Sequence, residues 1–145
     1  MSVQISACGP GSETLLAALH ARCFSECWNE AEMEGLLASP GVSALMIEEA
    51  GEPAGLALIR VVLDEAELLT LGVLPDRRAR GHGLTLLAAA ESAARKAGAA
   101  RLFLEVSHVN APAAGLYQRA GYRQVGERKR YYRDGSDARV LARDL

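Results

Sequence analysis

The stretch that most constrains this chain is Val73-Leu74-Pro75-Asp76-Arg77-Arg78-Ala79-Arg80-Gly81-His82-Gly83-Leu84. It reads as the end of a strand, a short polar turn, and two glycines that open a long helix. Gly81 and Gly83 have no Cβ, so the backbone there can bend sharply and come close to a ligand. The first N–H groups of the following helix lack intrahelical partners, and the helix dipole makes that end electropositive. Arg77, Arg78 and Arg80 are expected to add positive charge. Together these features suit a diphosphate.

The elements around this stretch follow from hydrophobic period and punctuation. Val3–Ser6 alternates and predicts a first strand. Ser12 is expected to cap a helix to about Phe24 with Leu15, Leu16, Leu19 and Cys23 inward. Asn29 with Glu32 has the spacing of a capping box and predicts a second, short helix through Leu37. The period then becomes two: strands are expected at Val42–Glu49, Ala54–Leu63 and Glu67–Leu74. A helix from about His82 to Ala97 stops at Gly98. Arg101–Ser107 is a strand, Asn110 caps a helix ending at Ala120-Gly121, and Tyr122–Arg130 and Asp137–Leu145 are the last strands. The order β-α-α-β-β-β-α-β-α-β-β predicts a mixed α/β (α+β) domain. It has an antiparallel meander, one crossover helix, then a strand parallel to the one before it.

A chain of 145 residues suits a single domain spanning residues 1–145. With 50% hydrophobic and 23% charged residues, its composition is that of a globular protein rather than a disordered one. The net charge of −2 points neither to nucleic acid nor to a membrane surface. Cys8, Cys23 and Cys27 form no CxxC pair, and no histidine is spaced to complete a metal site, so no metal is expected. Free thiols suit a reducing compartment, and the N-terminus carries no secretory pattern. A cytoplasmic location is the expectation.

Three kinds of phosphate site compete for the glycine turn. A P-loop needs Gly-Lys-Ser/Thr, which His82-Gly83-Leu84 does not offer. A dinucleotide fingerprint needs a third glycine where Leu86 stands. The remaining pattern, R-x-x-G-x-G at Arg78–Gly83, resembles the acetyl-CoA signature of the GNAT acetyltransferases. Leu69-Thr70-Leu71-Gly72-Val73, Leu102–Val106, Asn110, Ala114–Tyr117, Gly121-Tyr122 and Tyr131-Tyr132 together resemble the bacterial ribosomal-protein-alanine N-acetyltransferase (RimI) branch. The likeness is closest over Val61–Asp144.

That resemblance implies a GNAT fold: a mostly antiparallel central sheet with a β-bulge, a splayed strand pair, and about four flanking helices. It implies acetyl-CoA as cosubstrate. Leu71, Gly72 and Val73 would meet the acetyl-pantetheine arm. Arg78 and Ala79, Arg80, Gly81, His82, Gly83 and Leu84 would wrap the pyrophosphate, with Asn110 and Tyr117 contacting the cofactor further on. The thioester would enter the gap between the strands carrying Val73 and Glu105. His82 is expected to point to solvent, without a proton role.

Acetyl transfer to an amine requires removal of an ammonium proton, polarisation of the carbonyl and protonation of a leaving thiolate. Glu105 sits near a strand end among apolar neighbours, where a carboxylate is a stronger base; the same position also suits a salt bridge. Tyr117 on its helix suits a core position with a satisfied hydroxyl. The resemblance implies Glu105 as general base, with Glu67 as the other candidate, and Tyr117 as general acid. It places Trp28, Tyr131 and Tyr132 beside the acceptor. Arg133 stands where the branch commonly has proline, and Ser107-His108-Val109 replaces smaller residues. The implied acceptor is a protein N-terminal α-amine, of the small-subunit ribosomal-protein kind, with the enzyme a monomer or weak homodimer. A small-molecule amine acetyltransferase and a CoA-binding sensor without turnover are the alternatives.

Overall fold

The computed structural model describes residues 2–145. The chain opens with β1 (Val3–Cys8), followed by α1 (Glu13–Cys23) and α2 (Glu30–Ala38). The meander is β2 (Val42–Glu49), β3 (Glu52–Val62) and β4 (Glu65–Val73). A 3-10 turn at Pro75–Arg77 leads into α3 (His82–Lys96). β5 (Arg101–Ser107), α4 (Ala111–Arg119), β6 (Arg123–Arg128) and β7 (Ala138–Asp144) complete the chain. This order agrees with the sequence expectation. Boundaries differ by a few residues: β3 and β4 reach further toward the chain start, and the last two strands are shorter.

The seven strands form one sheet in the order β1-β2-β3-β4-β5-β7-β6. Every neighbouring pair is antiparallel except β4–β5. Alternation along β2 sends Leu45 and Ile47 to one face and Ala44 and Met46 to the other, so both faces need cover. On the first face Leu86, Leu87, Ala90 and Ala94 of α3 pack against Ile47, Ala57 and Leu102. On the second face Leu16, Leu19, Met33 and Leu37 of α1 and α2 cover Met46, Leu56 and Leu58. Leu16 and Leu86 are fully buried, and truncating either to alanine costs about 2–5 kcal/mol.

The caps behave unequally. Asn29 Oδ1 accepts from the N–H of Glu32 at 2.8 Å, while the Glu32 carboxylate accepts from the N–H of Asn29 at 3.0 Å, completing the capping box. Asn110 accepts from the N–H of Ala113 at 3.3 Å. Ser12 makes no side-chain cap bond. The inward stripe of α1 also differs from expectation: Leu15 is 44% exposed, whereas His20 is 4% exposed. His20 lies one turn beyond Leu16 on the same face, and Leu15 is a third of a turn off it.

Two irregularities in β4 shape the site. Leu58 pairs with Thr70 but Ile59 pairs with Leu68, so Leu69 is an extra residue that bulges the strand. β4 and β5 share only Glu65–Arg101, Ala66–Leu102 and Glu67–Phe103, after which the two strands part. Gly72 is required at this point because an added Cβ would stand 2.8 Å from the Phe24 ring and 2.9 Å from Cys23 Cβ.

Candidate active site

The parting of β4 from β5 leaves backbone groups facing a gap. Leu74 N–H donates to Ala54 O on β3 at 2.8 Å. Peptide groups alternate edges along a strand, so those of Val73 and Leu71 face the gap. Helix α3 starts at the same end of the strand. Gly81, its N-cap, has φ +81° and Ala79 has φ +62°, so the loop turns twice through the left-handed region. The first helical bond runs from Thr85 N–H to Gly81 O at 3.1 Å. The N–H groups of His82, Gly83 and Leu84 therefore lack intrahelical partners.

These elements line a cavity of about 410 Å³ that includes Leu71, Gly72, Val73, Arg78, Ala79, Gly81, His82, Gly83, Leu84, Asn110 and Tyr117. A second cavity of about 360 Å³ lies on the other side of the gap, lined by His20, Trp28, Thr70, Glu105, Tyr132 and others. Phe24, Leu71, Asn110, Ala113 and Tyr117 line both. Most of the sequence-predicted residues thus line two sides of one passage, with Tyr117 at the junction, while Arg80, Glu67 and Tyr131 line neither cavity. A third cavity of about 340 Å³ continues over the open sheet face and contains Arg60, Glu67, Phe103, Glu105 and Arg128. Glu105 joins the second cavity to the third, and Glu67 belongs to the third only. Tyr131 is 51% exposed and lines none of the three, packing edge-on against Tyr132 with ring centroids 5.1 Å apart.

The arginines and His82 depart from expectation. Arg77 Nη1 donates to Glu49 Oε2 at 2.6 Å, and Arg80 Nη1 to the two Glu49 oxygens at 2.8 and 2.7 Å. Arg78 Nε donates to Val73 O at 3.0 Å. The sequence predicts three arginines aimed at a diphosphate; the fold commits Arg77 and Arg80 to a carboxylate and Arg78 to a backbone carbonyl. His82, expected in solvent, is 3% exposed, and its Nε2 lies 3.4 Å from Glu49 Oε1. The reason is helix phase: the first residue of α3 points back under the sheet toward the end of β2. Hydrogen bonds from Arg77 and then Arg80 hold the Glu49 carboxyl down at about 2.

Glu105 is not isolated among apolar groups. Its side chain leaves β5 on the face opposite Leu104 and Val106, where Arg128 Nε donates to it at 2.9 Å. It also raises the Tyr131 phenol, chiefly through a hydrogen bond. Tyr117 is 7% exposed, and burial, helped by nearby Tyr132, pushes its phenol up to about 12. Tyr132 is likewise pushed up to about 12 by burial and by the charge of Glu105.

Two residues were not anticipated. Glu49 ends β2 with nothing in its spacing to mark it. His20 had a signal, a histidine on the apolar face of a helix, but the three histidines are too scattered in sequence to suggest a constellation. In the fold His20 Nδ1 accepts from Trp28 N–H at 3.2 Å, and its ring stacks on Trp28 and tilts against Phe24. Among the described residues no group of three or more His, Cys, Asp or Glu is placed to hold a metal ion. No described helix is long and apolar enough to cross a membrane.

Comparison with known proteins gives this geometry a context. Residues 14–122 match the family described as Acetyltransferase (GNAT) family. A Bacillus subtilis (strain 168) protein provisionally named ribosomal protein bS18-alanine N-acetyltransferase is 35% identical over 125 residues, covering 85% of this chain and 83% of the relative. The ribosomal protein bS18-alanine N-acetyltransferase of Escherichia coli (strain K12) is 40% identical over 95 residues, covering 63% of this chain and 64% of that protein. The crystal structure of the ribosomal-protein-S18-alanine N-acetyltransferase from Escherichia coli superposes with a TM-score of 0.90 at 29% identity, covering 99% of this chain and 94% of that one.

Proposed function

Because the chain belongs to the GNAT acetyltransferase family, we propose that it transfers an acetyl group from acetyl-CoA to a protein N-terminal α-amine, of the ribosomal-protein-alanine kind. The observation that carries this reading is the passage itself: two cavities that meet at Tyr117 across parted strands. A donor and an acceptor can reach one point from opposite sides without sharing space. Direct transfer needs that arrangement and no covalent enzyme intermediate.

The residues fit the cosubstrate. Unpartnered N–H groups at the start of α3 suit a diphosphate, and the gap-facing peptide groups of Leu71 and the Val73 N–H suit the amides of a pantetheine arm, while Val73 O is held by Arg78. When bound, acetyl-CoA supplies an activated acyl group. The gap-facing Val73 N–H would be a donor to the acyl carbonyl. Tyr117 holds its proton at neutral pH and stands at the junction. A thiol titrates near about 8.5, so full proton transfer from this phenol is uphill, and Tyr117 acts first as a hydrogen-bond donor to the departing sulfur. Glu105 takes the proton of the incoming amine, directly or through water, with Arg128 fixing its carboxylate. Trp28 and Tyr132 wall the acceptor side. We read the chain as one domain, because the described residues 2–145 share a single sheet.

A thiol-release assay with acetyl-CoA and a panel of peptides and small amines tests this, with mass spectrometry locating the product acetyl group. Acetylation of the α-amine of alanine-starting peptides is the expected result. Turnover of small amines alone would favour the small-molecule reading, and CoA binding without any turnover would overturn both.

A further inference from the structure

The residues that make the diphosphate cradle do not hold themselves in place. Ala79, a residue with a Cβ, has φ +62°, and Gly81 follows at φ +81°. Such a loop needs an external tether to stay in one conformation. The structure supplies it from β2: a single carboxylate, Glu49, 2% exposed, meets Arg77, Arg80 and His82. These three side chains come from the 3-10 turn, the loop and the first residue of α3. One buried group therefore hydrogen-bonds the segment at residues 77 and 80, while buried His82 Nε2 lies 3.4 Å from it without a hydrogen bond.

We propose that Glu49 is the positioning residue of the cofactor cradle, acting through Arg77 and Arg80 to hold the α3 N–H groups convergent on the CoA diphosphate. It lines neither cavity of the passage. The groups it hydrogen-bonds, Arg77 and Arg80, flank the phosphate end. The arrangement also sets how the diphosphate is bound. With Arg77 and Arg80 on Glu49 and Arg78 on Val73 O, recognition falls to fixed backbone donors rather than mobile guanidinium groups. Fixed donors need no reordering when the anion arrives.

Removing the carboxylate has two opposed consequences. The loop loses its tether, which weakens binding, and two arginines are released, which strengthens attraction to a diphosphate. The tether dominates, because the N–H groups must converge to act together and a released arginine must still be ordered. This proposal rests on the acetyl-CoA reading above.

The test compares a donor that has the diphosphate with one that lacks it. In Glu49→Gln the dissociation constant for CoA, measured by calorimetry, should rise about tenfold. Turnover of S-acetylpantetheine, which ends before the diphosphate, should change by less than about twofold. Should Glu49→Gln fold poorly, Arg77→Met removes one arm of the tether and should give the same split at smaller size. A Glu49→Gln protein that binds CoA as tightly as wild type, or more tightly, overturns the proposal. So does an equal loss with both donors, which would mark a general structural role. Wild-type protein that binds no CoA would instead overturn the acetyl-CoA reading, and this proposal with it.

Discussion

The backbone N–H of Trp28 donates to Nδ1 of His20 at 3.2 Å, and the two rings stack with centroids 4.5 Å apart. That bond fixes the tautomer: Nδ1 is the acceptor, so Nε2 carries the hydrogen and donates to Thr70 Oγ1 at 3.2 Å. A histidine thus ties the loop between α1 and α2 to the bulged strand, on the acceptor side of the passage. His20→Leu keeps the packing and loses both bonds. It should cost about 1–3 kcal/mol of stability and raise KM for the acceptor while leaving KM for acetyl-CoA unchanged. Thermal melts and two-substrate kinetics check this.

The same histidine gives a pH dependence. Burial lowers the His20 pKa from its ordinary 6.5, so between the folded and unfolded values the unfolded chain binds more protons. Stability from His20 is complete above about 6.5 and declines as pH falls toward the lower folded value. The wild-type melting temperature should drop between pH 7 and 5, and His20→Leu should drop less. An identical slope in both proteins would refute the assignment.

Glu105→Gln removes the acceptor of the amine proton and Tyr117→Phe a hydrogen-bond donor to the departing sulfur, and each should lower kcat by about a hundredfold with little change in acetyl-CoA affinity. The phenylalanine variant should keep its fold, because burial rather than a hydrogen bond dominates the environment of that ring. Normal turnover in both variants would remove these residues from the mechanism.

Glu49 makes an acid-stability prediction separate from binding. Its carboxyl titrates at about 2 in the fold against an ordinary 4.5, so its pairing stabilises fully above 4.5 and is lost as pH falls through 2. Glu49→Gln should be less stable at pH 7 but lose less on acidification. Melting temperatures of the two proteins should therefore converge toward pH 2.5; parallel curves would contradict the pairing.

Gly72→Ala places a Cβ against Phe24 and Cys23, both from the end of α1. Overpacking of this kind costs about 1–3 kcal/mol. Because Gly72 lies between the two residues whose peptide groups face the gap, the variant should lose activity at temperatures where it is still folded. Activity equal to wild type at such temperatures would mean the strand edge is not part of the site.

The fold could be read ahead because its signals are local. The two-residue period of the meander, the Asn29–Glu32 box, and Gly98 past the end of α3 each act within a few positions. The parted strands and the bulge were implied only by resemblance, since Leu69 looks like any strand residue until its partner is known. The left-handed turn that opens α3 is legible at Gly81, because it is a property of the backbone. Side-chain partners are not legible where residues distant in sequence decide them. Arg77, Arg80 and His82 appear free along the chain, and only the fold brings the end of β2 beneath them. Glu105 with Arg128 is a similar case, an ion pair between strands that are not neighbours in the sheet.

Three residue pairs are all that join β4 to β5. Mechanically the sheet is two panels, β1 to β4 and β5 to β6, sharing a short seam at one end. A molecule whose own amides run along the open part of that seam would serve as a splint, and two panels would move as one plate. Hydrogen exchange at Leu71 and Val73 should then slow on CoA binding, while Leu45 and Ile47, already inside a complete ladder, should not change.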